Sequence, residues 1–316
     1  MSTQGNSVSC LLPVKNGEDY LEELIPTILA MLQLEDEVII VNDGSTDQTS
    51  RIIENCMVND NRIRLIQTEG IGLVSALNLG VSESNNPWIA RFDVDDVYDP
   101  DRLSIQRLLI NDSIAVIFSD YSFTTFSGHY LGTVRSAISE RATLLSLVSA
   151  QRTPHPVSLI NRKILLAAGG YSLEEYPAED LGLWLRMSNF GKLVSTPTIL
   201  LKYRLNAKSV SKLNREKQLL KKDHLIQNWF GWGEVYDNCL SDMNETTALY
   251  LHLEGGYERI LLHLRELKIV STVLAKPLRM RHLFRGFDFR VKLGLVGAAI
   301  RVIYWLIVRK VYRVLQ

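Results

Sequence analysis

The chain has 316 residues, enough for one large or two ordinary domains, so core size is not limiting. Apolar residues make up 46 % and charged residues 22 %, close to a soluble globular average, which excludes disordered, collagen-like and coiled-coil classes. Thirty-five Lys/Arg balance thirty-five Asp/Glu overall, yet from Lys276 onward ten basic residues face one acid, Asp288, so an acidic body carries a basic tail.

Val8–Leu12 reads as a first strand and Pro13-Val-Lys-Asn16 as the loop after it. Glu18–Gln33 carries apolar residues at helical spacing (Leu21, Leu24, Ile25, Ile28 and Leu32), with Pro26 as a kink or start. Glu37–Val41 is a second strand, buried on both faces by its unbroken apolar run. Asn42-Asp-Gly-Ser-Thr-Asp47 is a turn into a helix over about Asp47–Asn59, with Asp47 as its cap. A third strand over Arg62–Gln67, a helix over Gly72–Ser82 and a fourth strand over Trp88–Phe92 follow. That strand runs directly into Asp93-Val-Asp-Asp96. Asp99 and Pro100 then suit a helix start, and Ile114–Ser119 is a fifth strand.

Four crossovers in about a hundred residues predict a doubly wound, mainly parallel α/β sheet, whose ligands sit beyond the carboxyl ends of the strands. Pro13, Asp43 and Asp93 all lie at such ends. Beyond Asp120 the pattern predicts a hairpin over Tyr121–Val134, a helix over Glu140–Ser149 and a strand over Pro156–Ile160. A helix over Ala178–Phe190 and a late strand over Thr198–Leu205 come next. From Leu213 the pattern is mainly helical, with Tyr257–Leu267 its clearest piece. The division is therefore a catalytic domain over 1–212 and a helical region over 213–316.

Cys10, Cys56 and Cys239 are scattered and form no CxxC or Cys/His spacing, so neither zinc nor a disulfide framework is expected. Met1–Ser7 lacks the apolar core of a signal peptide. A reducing cytoplasm fits both observations.

Asp93, Asp95 and Asp96 crowd one strand end and repel one another unless a cation joins them. Carboxylates with phosphate oxygens suit Mg²⁺ or Mn²⁺, and such an ion stabilises charge on a departing diphosphate. An EF-hand loop would need Gly where Tyr98 stands. A haloacid-dehalogenase-type phosphatase carries Asp-x-Asp after its first strand, not its fourth. An acidic turn capping the next helix is the remaining alternative. Glu179-Asp180 opens a helix whose N-terminal dipole favours carboxylates; the pair is either a general base for a hydroxyl nucleophile or an ordinary cap. Gly169–Pro177 reads as a loop that shapes an acceptor pocket. His155, between two prolines, either reaches a phosphate or is structural.

Together these stretches resemble family 2 glycosyltransferases, the inverting enzymes of the GT-A fold. The resemblance rests on Leu12-Pro-Val-Lys-Asn16, Val41–Asp47, Gly70–Gly80, Asp93-Val-Asp-Asp96 and Glu179-Asp180-x-x-x-Trp184-x-Arg186, in order across Val8–Leu205. The Asp-x-Asp-Asp form and His155-Pro156 look most like bacterial O-antigen and capsule transferases. The resemblance implies that Pro13, Val14 and Asn16, with Asp43, hold the nucleotide base. It implies that Gly70–Asn78 lines the diphosphate side and that Asp93 faces the ribose. Asp95 would bind Mn²⁺ or Mg²⁺ with Asp93 and Asp96 close by, and Asp180 would be the base with Glu179 beside it. Lys15 and Glu69 depart from the usual pattern, which bears on donor identity. The implied partners are a nucleotide-sugar donor, a UDP-sugar first, and a saccharide on a lipid diphosphate. A sugar nucleotidyltransferase and a non-catalytic nucleotide-sugar-binding protein are the alternatives.

Leu293–Val308 is apolar except for Arg301 and is flanked by Lys292 and Arg309-Lys310. It is short of the roughly 20 apolar residues that span a bilayer. With Tyr304, Trp305 and Tyr312 it suits a helix lying in the interface, drawn to anionic lipid, over a basic tail of about 276–316. A core helix with solvated basic flanks is the alternative. The expected location is cytoplasmic, peripheral on an inner membrane; no nucleic-acid motif accompanies the charge, so nucleic acid is not an expected partner.

Overall fold

The computed structural model of the chain describes residues 3–134, 143, 153–205, 214, 217, 218, 220–222, 224 and 225. All of them fall within one compact unit, Met1–Leu147 with Gln151–Trp229. The second unit lies outside the described residues, as do the basic tail, the piece Tyr257–Leu267 and, Thr143 apart, the helix expected over Glu140–Ser149.

The frame among the described residues is one sheet. Its strands are β1 (Val8–Val14), β2 (Glu37–Asp43), β3 (Ile63–Thr68), β4 (Trp88–Arg91), β5 (Val97–Tyr98), β6 (Ile114–Thr124), β7 (Tyr130–Val134), β8 (Leu159–Asn161) and β9 (Lys192–Arg204). The helices are α1 (Glu18–Met31), α2 (Thr49–Asn59), α3 (Leu73–Glu83), α4 (Arg102–Arg107), α5 (Arg162–Ala167) and α6 (Glu179–Met187). The strand order is β3-β2-β1-β4-β8-β6-β9-β5, with β7 on β6.

β1 to β4 are parallel, and the order reverses between β1 and β4. The loops after these two strands therefore flank the crevice where doubly wound sheets bind ligands. β1 and β2 are buried on both faces, as their unbroken apolar runs predict. Val8, Cys10, Leu12 and Val14 join the core that includes Leu21, Ile25 and Ile28 of α1. Leu11 points the other way, where a Cβ on Gly80 of α3 would lie 2.2 Å from its Cδ1. Gly80 thus lets α3 approach the sheet closely. Pro26 sits inside α1, which runs through it to Met31.

The second half departs from simple winding. Ile114–Ser119 is not a fifth parallel neighbour of β4. β8 lies between them, antiparallel to both, so β6 regains the common direction. β6 is also longer than expected, since it merges with the first arm of the predicted hairpin and pairs with β7 across Thr125–His129. β8 begins at Leu159 after a 3-10 turn, His155–Val157, instead of at Pro156.

β9 starts at Lys192, six residues before the expected Thr198. Pro197 argues against a strand there, but the register with β6 jumps from Ser119–Thr196 to Asp120–Ile199, so a bulge absorbs it. α4 begins at Arg102 because β5 pairs with β9 and keeps the chain extended through Tyr98. Asp99 instead accepts from the Asp101 N–H, at 2.9 Å. Among the described residues no helix is long and apolar enough to cross a membrane.

Candidate active site

Three loops converge beside β1. Asn16, at φ 55°, accepts from the Thr46 N–H through Oδ1 at 2.8 Å, and its own N–H donates to Ser45 Oγ. Asp47 and Glu18 cap each other's helices: the Glu18 N–H donates to Asp47 Oδ2 and the Gln48 N–H to Glu18 Oε2. The expected capping role of Asp47 thus extends to α1 as well as α2. Pro13 and Val14 lie within β1, opposite Val41 and Asn42.

Asp43 ends β2 with its carboxylate filled. It accepts from Thr68 Oγ1 at 2.7 Å, the Ile71 N–H at 2.6 Å and the Gly72 N–H at 2.9 Å. Despite burial, these bonds and the Lys15 ammonium hold its carboxyl below the usual carboxylate range. Asp43 thereby fixes the Gly70–Gly72 loop that opens α3. Gly44 must be glycine here: its φ is +70°, and a Cβ would stand 2.9 Å from the Gly70 N.

The acidic turn follows β4, whose last residue, Arg91, is 2 % exposed. Arg91 Nη2 donates to Asp93 Oδ1 at 2.5 Å, while Nε and Nη1 have no hydrogen-bond partner among the described residues. The Tyr98 hydroxyl accepts from the Asp93 N–H at 2.6 Å and so fixes the turn. Asp96 is buried: Oδ1 accepts from the Arg204 N–H at 2.9 Å, and Oδ2 has no partner among the described residues. Burial, reinforced by Asp93, pushes its carboxyl well above the usual range. Asp95 is half-buried and adds to burial in raising the phenol of Tyr20 on α1.

Among the described residues no group of three His, Cys, Asp or Glu side chains closes into a metal cage. Mg²⁺-type ions do not need one, because they bind through one or two carboxylates and complete their shell with water and substrate phosphates. The donor set of the turn, all carboxylate oxygen with one buried oxygen unpartnered, fits such an ion.

A second pair of acids opens α6. Glu179 is 7 % exposed and its Oε2 has no partner among the described residues. Burial, and then Asp180, raise its carboxyl to about 7. Asp180 is also raised, by burial first, against the opposing pull of Lys222. Asp93 adds repulsion to both acids, and Arg91 favours the charged form of Glu179. The acidic turn and the Glu179-Asp180 pair therefore share one electrostatic environment.

The anchors of α6 are those its sequence suggests, since Leu181, Leu183, Trp184 and Leu185 are all buried. His155 is buried as well, its Nε2 2.8 Å from the Tyr171 hydroxyl, and burial beside Arg91 pushes its imidazole well below its ordinary value. Asn78 bonds the Tyr171 backbone through both amide atoms.

Two residues of this site are not legible from motifs. Arg91 reads as one more strand residue; the signal was a cation closing an otherwise apolar, buried strand. Lys222 reads as part of a basic helical stretch. It lies near Asp180 and Glu179, and burial lowers its ammonium although both acids oppose that. One turn earlier, Gln218 Nε2 donates to the Pro177 O at 2.9 Å, which seats this segment on the loop before α6.

A parallel half-sheet with an acidic turn after its fourth strand, joined to a mixed half that supplies an acidic helix start, is the GT-A arrangement. Residues 9–147 match Glycosyl transferase family 2. That segment carries the family's domain, and with the similar proteins below it makes the chain a glycosyltransferase. It is 28 % identical to an uncharacterized glycosyltransferase of Haemophilus influenzae over 225 residues, covering 67 % of this chain and 69 % of that one. It is 24 % identical to hyaluronan synthase of Pasteurella multocida, covering 85 % of this chain but 28 % of that longer protein.

Among solved structures, the fold is similar to mannosyltransferase PcManGT from Pyrobaculum calidifontis in complex with GDP-Man and Mn²⁺. The TM-score is 0.56 at 16 % identity, covering 93 % of this chain and 86 % of that one. S. aureus TarS 1-349 in complex with UDP-GlcNAc gives 0.54 at 16 % identity, covering 84 % and 88 %.

Proposed function

We propose that this glycosyltransferase inverts the anomeric centre of a UDP-sugar and transfers the sugar to a saccharide on a polyprenyl diphosphate, in O-antigen or capsule assembly at the cytoplasmic face of an inner membrane. The observation that carries the reading is the shared environment of Asp93 with Glu179 and Asp180, since single displacement needs a diphosphate-side group and a base facing one carbon.

In that step Asp180 takes the proton of an acceptor hydroxyl as its oxygen bonds the anomeric carbon. The bond from that carbon to the diphosphate breaks, and its electron pair leaves with the nucleotide. A divalent ion, Mn²⁺ or Mg²⁺, held by Asp95 with Asp93 and Asp96 nearby, would supply charge stabilisation at the departing diphosphate. Arg91 orients Asp93 for this, and Glu179, next to Asp180 at the start of α6, tunes it through its charge. On the donor side, Pro13, Val14 and Asn16 form the wall nearest the base. Asp43 acts through the Gly70–Gly72 loop it holds.

UDP is the first nucleotide to try because TarS is known with UDP-GlcNAc, although PcManGT holds GDP-Man. A polysaccharide role has support in the likeness to hyaluronan synthase. The test is a Mn²⁺-containing panel of nucleotide sugars against synthetic lipid diphosphate saccharides, reading released nucleotide and glycosylated product together. Metal-dependent product of inverted configuration from a UDP-sugar is expected. Transfer only from GDP-sugars, or retained configuration, would overturn the reading.

A further inference from the structure

We propose that Asn78 is a positioning residue for the acceptor half of the site, holding the loop before the base from the helix that borders the donor side. This rests on the reading of Glu179-Asp180 as the base pair.

Asn78 stands on α3, and its amide makes two bonds to one peptide unit pair far away in sequence. Oδ1 accepts from the Tyr171 N–H at 2.9 Å, and Nδ2 donates to the Tyr171 O at 2.8 Å. A side-chain amide used this way replaces both partners that a neighbouring strand would give one residue. A loop has no such strand to satisfy its buried backbone groups, so the clamp meets a real need. The fit is close. Gly170, at φ +71°, presents its backbone to Asn78, and a Cβ there would lie 2.8 Å from Asn78 Oδ1.

The clamped residue is central to the base. Tyr171 is 4 % exposed, and its hydroxyl meets His155 Nε2 at 2.8 Å; the His155 ring in turn packs edge-on to Trp184 of α6, 5.8 Å between centroids. From the other side, Arg186 of α6 bonds the Ala168 O at 3.0 Å, the Gly170 O and Glu175. The Ala178 N–H, directly before Glu179, donates to the Glu175 O at 2.8 Å. The segment from Ala168 to Ala178 is thus held by α3 at Tyr171 and by Arg186 of α6 at Ala168, Gly170 and Glu175. At its own N-terminus α3 is fixed by Asp43, through the Ile71 and Gly72 N–H groups. One helix therefore borders the donor loop and sets the loop that leads to the base.

The role differs from direct contact with the donor diphosphate, and the two separate experimentally. Asn78→Ala removes both bonds. Asn78→Asp keeps the shape and the bond from the Tyr171 N–H but sets a carboxylate oxygen against the Tyr171 carbonyl. In both variants UDP affinity, titrated by calorimetry with Mn²⁺, is expected to stay within about threefold of wild type. Backbone hydrogen exchange of residues 169–177 is expected to speed up at least tenfold, with exchange over Val8–Val14 unchanged. In the transfer assay, kcat/KM for the acceptor is expected to fall at least tenfold, and more than the donor KM changes.

A tenfold loss of UDP affinity with unchanged exchange in 169–177 would assign Asn78 to the donor and end the proposal. So would wild-type exchange and wild-type transfer in both variants. The exchange result stands apart from catalysis: if the wild-type protein transfers no sugar to any acceptor, the proposed function fails while the clamp is still judged by exchange.

Discussion

The Arg91 guanidinium is buried and holds the Asp93 carboxylate through a single 2.5 Å bond, leaving two of its donors without hydrogen-bond partners among the described residues. Unpartnered donor nitrogens are a standing cost in a buried group, worth about 1–3 kcal/mol each when nothing else satisfies them. Their persistence marks Arg91 as a site group kept for its charge, between Asp93 and the Glu179-Asp180 pair that Asp93 repels.

Arg91→Met tests this directly. It strips Asp93 of its counter-charge, and because that carboxylate is a third exposed the expected stability loss is modest, about 1–2 kcal/mol in urea unfolding. Transfer should fall about a hundredfold or more, with Arg91→Lys recovering only part because a lysine ammonium cannot reproduce the fork geometry. Wild-type turnover in Arg91→Met would remove Arg91 from the site.

The two adjacent acids separate by substitution. Asp180→Asn keeps shape and burial but removes the proton acceptor, so kcat should drop about 10³-fold with UDP affinity unchanged. Glu179→Gln should cost far less, about tenfold, because Glu179 tunes its neighbour. Near wild-type kcat in folded Asp180→Asn, with the large loss in Glu179→Gln, would exchange the roles.

The pH dependence follows from the raised carboxyls. Burial raises the Asp180 carboxyl above the usual carboxylate range, so at acid pH it keeps a proton that disables the base, and kcat/KM should climb as pH rises and then level. Stability runs the other way. Glu179 binds its proton more tightly folded than unfolded, so stability is greatest below its unfolded value and declines as pH rises toward 7. Glu179→Gln removes that decline. At pH 8 its melting temperature should exceed wild type by about 3 °C or more, and at pH 4 the difference should vanish. A variant less stable than wild type at pH 8 would refute the assignment of burial as the dominant cause.

Local chemistry made the first half of the fold legible. Unbroken apolar runs gave β1 and β2, glycine before a helical period gave the start of α3, and the order reversal falls between β1 and β4. The second half was harder because pairing there is non-local. Nothing within Leu159–Asn161 says that it inserts antiparallel between β4 and β6, and Pro197 hides a strand that a bulge preserves. In the site, residue types were readable but bonding was not. Asp43 and Asn78 carry the chemistry of ligand contacts, yet their hydrogen bonds are satisfied by Gly72 and Tyr171, partners fixed only by packing. Arg91 is not legible because a strand-end arginine has no signature of its own.

The basic tail gives a prediction independent of the site. Its ten cations and the apolar run Leu293–Val308 suit a helix lying on anionic lipid, each Lys/Arg near the surface adding about 1 kcal/mol. Part of that attraction is screened, so sedimentation with vesicles of phosphatidylglycerol should weaken as salt rises about tenfold from a low-salt buffer. The apolar face should leave a residual bound fraction at high salt. Deleting residues after Arg290 should move the protein from membrane to soluble fractions while Mn²⁺–UDP binding by the catalytic unit persists. Partition identical to the full chain would show that the tail is packed against protein instead, its cations merely solvated.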